Sequence, residues 1–332
     1  MKYTGFFFEA NSIQAYILQG GRLRDIVGAS YLLDQLCTTD IEAACKQIQL
    51  EEVRHAPDGA RQILFTRKAS GAIYAVLGSV EAARELAALW SLWVRQRCPG
   101  LSFNQALSSG ANVFQVIGEG SKALGQVRSM PAPGLPTAAP MVERSPRTGL
   151  SASQQSHVLG QQELVDSAVS ARRRVIEQAQ RDNRNKLNPQ PVDGLRYVFP
   201  VNLEFDPEGD ADEYGFPFEK QSRSVGILHA DANGLGQVLL KIIATAEKDP
   251  QTAGKHFPEF LARLSACVAD ATVAAGRRAV ESVLVHSAAH VSGKPVRVLP
   301  ARPILLAGDD LTIILRADVA LPFLDTFSAA FE

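Results

Sequence analysis

Apolar residues recur along this chain in two rhythms. Residues 3–9, Gln62 to Thr66, Ala72 to Leu77 and Leu101 to Leu107 are short runs rich in aliphatic and aromatic residues, and they predict strands. Ser12 to Leu18, Leu23 to Gln47 and Glu81 to Arg97 are longer, with apolar residues at helical spacing, and the last is closed by Cys98-Pro99-Gly100. The resulting order is βαββαβ. Such an order folds as a four-stranded antiparallel sheet with helices on one face.

A helical stretch over about 110–128 leads into a change of composition. Five prolines fall in the sixteen residues from Pro131 to Pro146, which predicts an extended connection. Beyond it, Gln161 to Lys186 reads as one helix. Its later part is basic, with Arg172, Arg173, Arg174, Arg181, Arg184 and Lys186. A solvated face and a nucleic-acid backbone contact both fit that run. From about Leu195 the first rhythm returns: strands at Tyr197 to Phe205 and Val225 to Ala230, helical segments at Gln237 to Ala246 and over Pro258 to Ala289, a hairpin from Arg302 to Leu315, and a helix starting near Val319. The β-α-β-β-α order repeats without its closing strand, so the expectation is a chain truncated at its C-terminus. The predicted organisation is α+β: a first sheet domain over 1–129, a Pro-rich linker and basic helical segment over 130–194, and a second sheet domain over 195–332.

Candidate chemistry gathers in the second domain. Two strand-length apolar runs flank Ala307-Gly308-Asp309-Asp310, which reads as a tight hairpin turn. Gly and Asp favour turns for local reasons, and a solvated turn is the plain alternative. The strand ending at Ala230 runs into Asp231-Ala232-Asn233-Gly234-Leu235-Gly236 just before a helical segment. If that strand lies beside the hairpin, Asp231, Asp309 and Asp310 can share one or two Mg²⁺ or Mn²⁺ ions, since hard carboxylate oxygens suit such cations. Backbone N–H groups from Ala232 to Gly236 would then meet a phosphate, as helix starts do. Arg22 and Arg24, at a predicted helix start, are candidate phosphate or RNA contacts.

Composition narrows the classes. The 332 residues are 46% hydrophobic and 21% charged with a formal net charge of -1, an ordinary globular balance with no global field toward nucleic acid or an anionic membrane. No apolar run reaches membrane-spanning length, and the short apolar N-terminal run lacks a cleavage signal, so a cytoplasmic protein without membrane association is expected. Cys37, Cys45, Cys98 and Cys267 are dispersed without a C-x-x-C pair, so no zinc site is expected, and Cys37 and Cys267 read as small buried hydrophobes. Trp90 and Trp93 read as core aromatics.

The two sheet units, with strand-Asp-x-Asn-Gly-x-Gly-helix and Gly-Asp-Asp in the second, resemble the two Palm domains of the large subunit of type III CRISPR effector complexes (the Cas ten family, most like its Cmr-two branch). Ser12-Ile13-Gln14-Ala15-Tyr16-Ile17 and the run from Leu23 to Leu33 are similar to that family's first Palm. The resemblance implies two ferredoxin-like Palm domains, the second of nucleotide-cyclase type. It also implies a metal-dependent nucleotidyltransferase that binds ATP with Mg²⁺ or Mn²⁺ and joins adenylates into cyclic oligoadenylate messengers. Asp231, Asp309 and Asp310 would be its catalytic and metal-holding residues. Ala232, Asn233, Gly234, Gly236 and Gly308 would bind the nucleotide, with guide RNA and other effector subunits as partners. Self-association into a dimer is left open. Ala307 stands where the family usually has glycine, and Asn233 where it often has a second acid. No His-Asp dipeptide marks the family's nuclease domain, and its cysteine-rich zinc module is missing. The alternative is a non-catalytic scaffold or RNA-binding subunit with a degenerate Palm.

Overall fold

The computed structural model describes residues 3–129, 139–158, 161–191, 194–200, 203, 214–219, 222–232, 237, 241–242, 245 and 250–331. Of the expected helix over Gln237 to Ala246 only 237, 241, 242 and 245 are described, all four helical, and most of the linker prolines and most of the acidic loop after Pro207 lie outside the described residues.

The first unit opens with β1 (Tyr3–Asn11), α1 (Ile13–Leu18) and α2 (Leu23–Gln35), which passes through one wide helical turn over Leu36–Asp40 into α3 (Ile41–Gln47). It continues with β2 (Glu51–Glu52), β3 (Gln62–Ala69), β4 (Ala72–Leu77), α4 (Val80–Arg97), β5 (Ser102–Gly110) and α5 (Val113–Arg128). These strands form a five-stranded sheet in the order β2-β3-β4-β1-β5, antiparallel except where β2 joins β3. Ser79 and Asn112 cap α4 and α5, each accepting a backbone N–H one turn in.

Both faces of this sheet are covered, where the sequence suggested only one. Phe6, Phe7 and Phe8 are all fully buried, as consecutive strand residues are only when each face has a roof. Phe6 and Phe8 pack with Leu32, Leu36, Leu86 and Trp90, under α2 and α4. Phe7 points the other way, to Val113, Val116 and Leu124 of α5. α5 is the reason: it follows the closing strand and folds back across the uncovered face.

The connecting region differs from the single basic helix read in the sequence. β6 (Gln154–Val158) and β7 (Gln161–Val165) form an antiparallel hairpin, and helix begins only at α6 (Ser167–Arg174), followed by α7 (Ile176–Leu187). Asp166 sets that start: its Oδ1 accepts the N–H groups of Ala168 and Val169 at 2.8 and 3.1 Å. The run is divided: Arg174 and Arg181 are exposed, while Arg172 and Arg173 turn inward. Arg172 is fully buried, stacked over the Tyr16 ring and donating to the Tyr16 carbonyl at 2.8 Å. Arg173 donates to buried Asp25 at 2.9 Å and to Glu163 at 2.9 Å, tying the connection to α2.

The second unit comprises β8 (Arg196–Val198), β9 (Val225–Ala230), α8 (Pro250–Ala279), which runs through a wide turn over Val280–Leu284, β10 (Ala289–His290), β11 (Val296–Val298), β12 (Ala301–Ala307), β13 (Asp310–Arg316) and α9 (Ala317–Phe331). Its main sheet has the order β12-β13-β9, the order of β3-β4-β1 in the first sheet. Of the strand expected at Tyr197 to Phe205, 201, 202, 204 and 205 lie outside the described residues, while Tyr197 and Val198 fall in β8, which joins a separate small sheet, β10-β11-β8. Pro200 ends it, since proline cannot donate to a ladder. Leu228, Leu311, Ile313 and Leu315 face Ala275, Ala279 and Phe323. The alternate residues Ile304 and Ile314 face Val27, Tyr31 and Ile176 of the first unit and connection. Cys37, Cys45 and Cys98 are buried free thiols, while Cys267, expected in the core, is exposed on α8. Among the described residues no helix is long and apolar enough to cross a membrane.

Candidate metal and nucleotide site

Strand register builds the site. β9 pairs antiparallel with β13 from Arg316 opposite Val225 to Leu311 opposite Ala230. The next residue along each strand is an aspartate, so Asp231 and Asp310 emerge together at one end of the sheet. On the other side of β13, Ala307 pairs with Asp310, leaving Gly308 and Asp309 as a two-residue hairpin loop. Gly308 has φ 61° and Asp309 is not in the left-handed region, the pattern of a tight turn that wants glycine first.

Asp231, Asp309 and Asp310 each bring a carboxylate oxygen to within 4.8 Å of the others. Asp231 is exposed and the other two are half-buried. Burial pushes the Asp310 carboxyl up to about 6, reinforced by the charges of Asp309 and Asp231. Asp309 is also raised, chiefly by burial and then by Asp231. The cluster is therefore short of positive charge. Three hard oxygen donors that repel one another are the donor set that fits a divalent cation such as Mg²⁺ or Mn²⁺.

Ala232 follows Asp231 in the described structure. Asn233, Gly234 and Gly236 lie outside the described residues. Arg22 is the N-cap of α2 and Arg24 lies in its first turn, next to Asp25 in sequence.

Two basic residues near the cluster were not singled out by the sequence. His229, two residues before Asp231 and on the same face of β9, has Nδ1 2.9 Å from the Thr312 hydroxyl and opposes the rise of Asp310. Its strand period of two was a legible signal. Arg67 of β3 opposes the rise of Asp309. Nothing local in the sequence marks it, because it comes from the other unit.

The class these features define is an α+β chain whose second sheet gathers three carboxylates at a hairpin end. No protein-family model and no curated protein matches the sequence. Solved structures do match its fold, among them chains of the Csm1–Csm4 cassette. One is in complex with one ATP (TM-score 0.53, 12% identity, 99% of this chain and 48% of that one) and one with cA3 (TM-score 0.52, 12% identity, 99% and 48%). A third is the Csm1–Csm4 subcomplex of the type III-A CRISPR-Csm interference complex (TM-score 0.52, 11% identity, 99% and 48%). These neighbours agree with the resemblance to the large subunit of a type III effector read from the sequence. At this identity the likeness is one of fold, and the chain spans about half the length of the chains it matches.

Proposed function

We propose that this chain is the two-Palm portion of a type III CRISPR large subunit and acts as a metal-dependent nucleotidyltransferase, converting ATP to cyclic oligoadenylates. The supporting observation is the convergence of Asp231, Asp309 and Asp310 within 4.8 Å. The fold neighbours crystallised with ATP and with cA3 point the same way. In this reading the first Palm is residues 1–129, the connection 130–194 and the second, cyclase-type Palm 195–332.

Asp231, Asp309 and Asp310 would hold Mg²⁺ or Mn²⁺. When bound there, the cation lowers the pKa of an attacking 3′-hydroxyl and stabilises charge on the α-phosphate as pyrophosphate departs. Gly308 makes the turn that presents Asp309 and Asp310 together. Ala232, Asn233, Gly234 and Gly236, which follow β9 in the sequence, would bind the nucleotide's phosphates through backbone N–H groups. The partners that follow are a Csm4-type subunit, further effector subunits and guide RNA, in the cytoplasm.

The test is incubation of the protein with ATP and Mn²⁺ or Mg²⁺, followed by chromatography of the nucleotides. Cyclic or linear oligoadenylate from the native chain, absent with Asp309→Ala/Asp310→Ala, is the expected result. Metal-dependent ATP binding lost in the variant but without product would assign turnover to an activating partner. Absence of such binding in the folded native chain would favour the scaffold reading.

A further inference from the structure

A feature of the first unit faces this site. The β3–β4 hairpin and the β12–β13 hairpin hold the same position in their sheets, and their turns meet: a Cβ built on Gly308 would lie 2.3 Å from the Ser70 hydroxyl. The first hairpin carries no acid at its turn. It carries Arg67-Lys68-Ala69-Ser70-Gly71 instead.

β3 is irregular just before that turn. Phe65 pairs with Ala75 and Arg67 with Tyr74, so Thr66 is an extra residue bulged out of the ladder, its hydroxyl donating to the Tyr74 carbonyl at 3.3 Å. A bulge shifts every following residue to the opposite face. In regular pairing Arg67 would stand opposite Ile73, under α4. With the bulge it stands beside Tyr74 on the Phe7 face, its guanidinium 5.6 Å from the Tyr74 ring centre, and is exposed. Glu9, an acid of that face, is already held by Arg128 in a two-pronged ion pair and by the Tyr74 hydroxyl. Among the described residues no ion pair engages Arg67. Lys68, by contrast, is bound to Glu42 and Glu52.

We infer that Arg67 is a substrate-binding residue supplied by the first unit, which contacts the polyphosphate of a nucleotide bound at the Asp231–Asp309–Asp310 site. This deepens the function proposed above and rests on it. Arg67 stands exposed three residues before Ser70, at whose hydroxyl the Gly308 turn of the acidic hairpin comes to rest. A guanidinium is suited to the role, since it stays charged and grips phosphate oxygens in pairs. The two hairpins would then divide the work: one presents anionic ligands for a cation, the other a cation for the phosphates.

The test compares the native chain with Arg67→Ala and Arg67→Lys by calorimetry, using Mn²⁺ alone, ATP with Mn²⁺, and AMP with Mn²⁺. Removing a phosphate contact from a cation should weaken ATP binding roughly tenfold and AMP binding less, with Arg67→Lys intermediate. Binding of Mn²⁺ alone should strengthen, because a repelling charge has left the cluster. Opposite movements for metal and ATP cannot come from a damaged fold. Equal weakening of both would overturn the inference in favour of a structural role, and unchanged ATP affinity would overturn it while leaving the metal site standing. If the native chain binds neither Mn²⁺ nor ATP, the proposed function fails and this inference with it.

Discussion

Leu311 stands directly opposite Ala230 across the β13–β9 ladder, and that single register pair sets Asp310 and Asp231 side by side. A shift of one residue would turn Leu311, Ile313 and Leu315 out of the core, so the hydrophobic pattern that fixes the sheet also fixes the carboxylates.

The first prediction concerns charge in the cluster. In the folded chain Asp310 holds its proton up to about pH 6, raised by burial and then by its two neighbours. The stability this gives is present below the ordinary carboxyl range near pH 4 and is lost as pH rises through 6. At pH 7 without divalent cations the ionised cluster therefore opposes folding. Asp310→Asn should raise metal-free stability at pH 7 by about 1–2 kcal/mol, after discounting for its partial exposure. The gain should vanish by pH 4 and shrink on adding Mn²⁺. Thermal unfolding at the two pH values checks this.

A second prediction concerns the meeting of the turns. Gly308→Ala places a methyl against the Ser70 hydroxyl in a left-handed residue, and should cost roughly 1–2 kcal/mol. Ser70 itself has φ 52°, so Ser70→Gly should be neutral or stabilising. In the Ser70→Gly background, Gly308→Ala should cost at least about 0.5 kcal/mol less. Urea unfolding of the four proteins measures that coupling.

The third prediction tests the tie between the connection and α2. Asp25 is fully buried and Arg173 only 7% exposed at its side chain. Asp25→Ala leaves the guanidinium held by Glu163 alone and should destabilise by roughly 3 kcal/mol, read from the urea midpoint.

Much of this was legible in the sequence because it depends on local pattern. β1, β3, β4, α4, β9 and the β12–β13 hairpin follow from apolar runs and turn residues, and Asp231 was placed with the Asp309/Asp310 pair because a strand end and a hairpin turn bring acids to one edge. β6 and β7 were not legible. Their Gln-Gln-Ser-His-Val and Gln-Gln-Glu-Leu-Val runs show no clean alternation, and what stops a helix there is the Asp166 cap. The buried arginines failed for another reason. Arg172 meets Tyr16 and Arg173 meets Asp25 across the chain, and nothing near them in sequence announces either partner. Arg67 needed both the Thr66 bulge and the docking of the second unit before its position carried meaning.

The most direct measurement of the central claim is ATP binding by calorimetry with and without Mn²⁺, comparing the native chain with Asp309→Ala/Asp310→Ala and confirming that both are folded. The account predicts binding that requires the metal and is lost in the variant, with adenylate oligomers appearing on incubation. ATP binding indifferent to metal and to both aspartates, or no binding at all by the folded native chain, would contradict it.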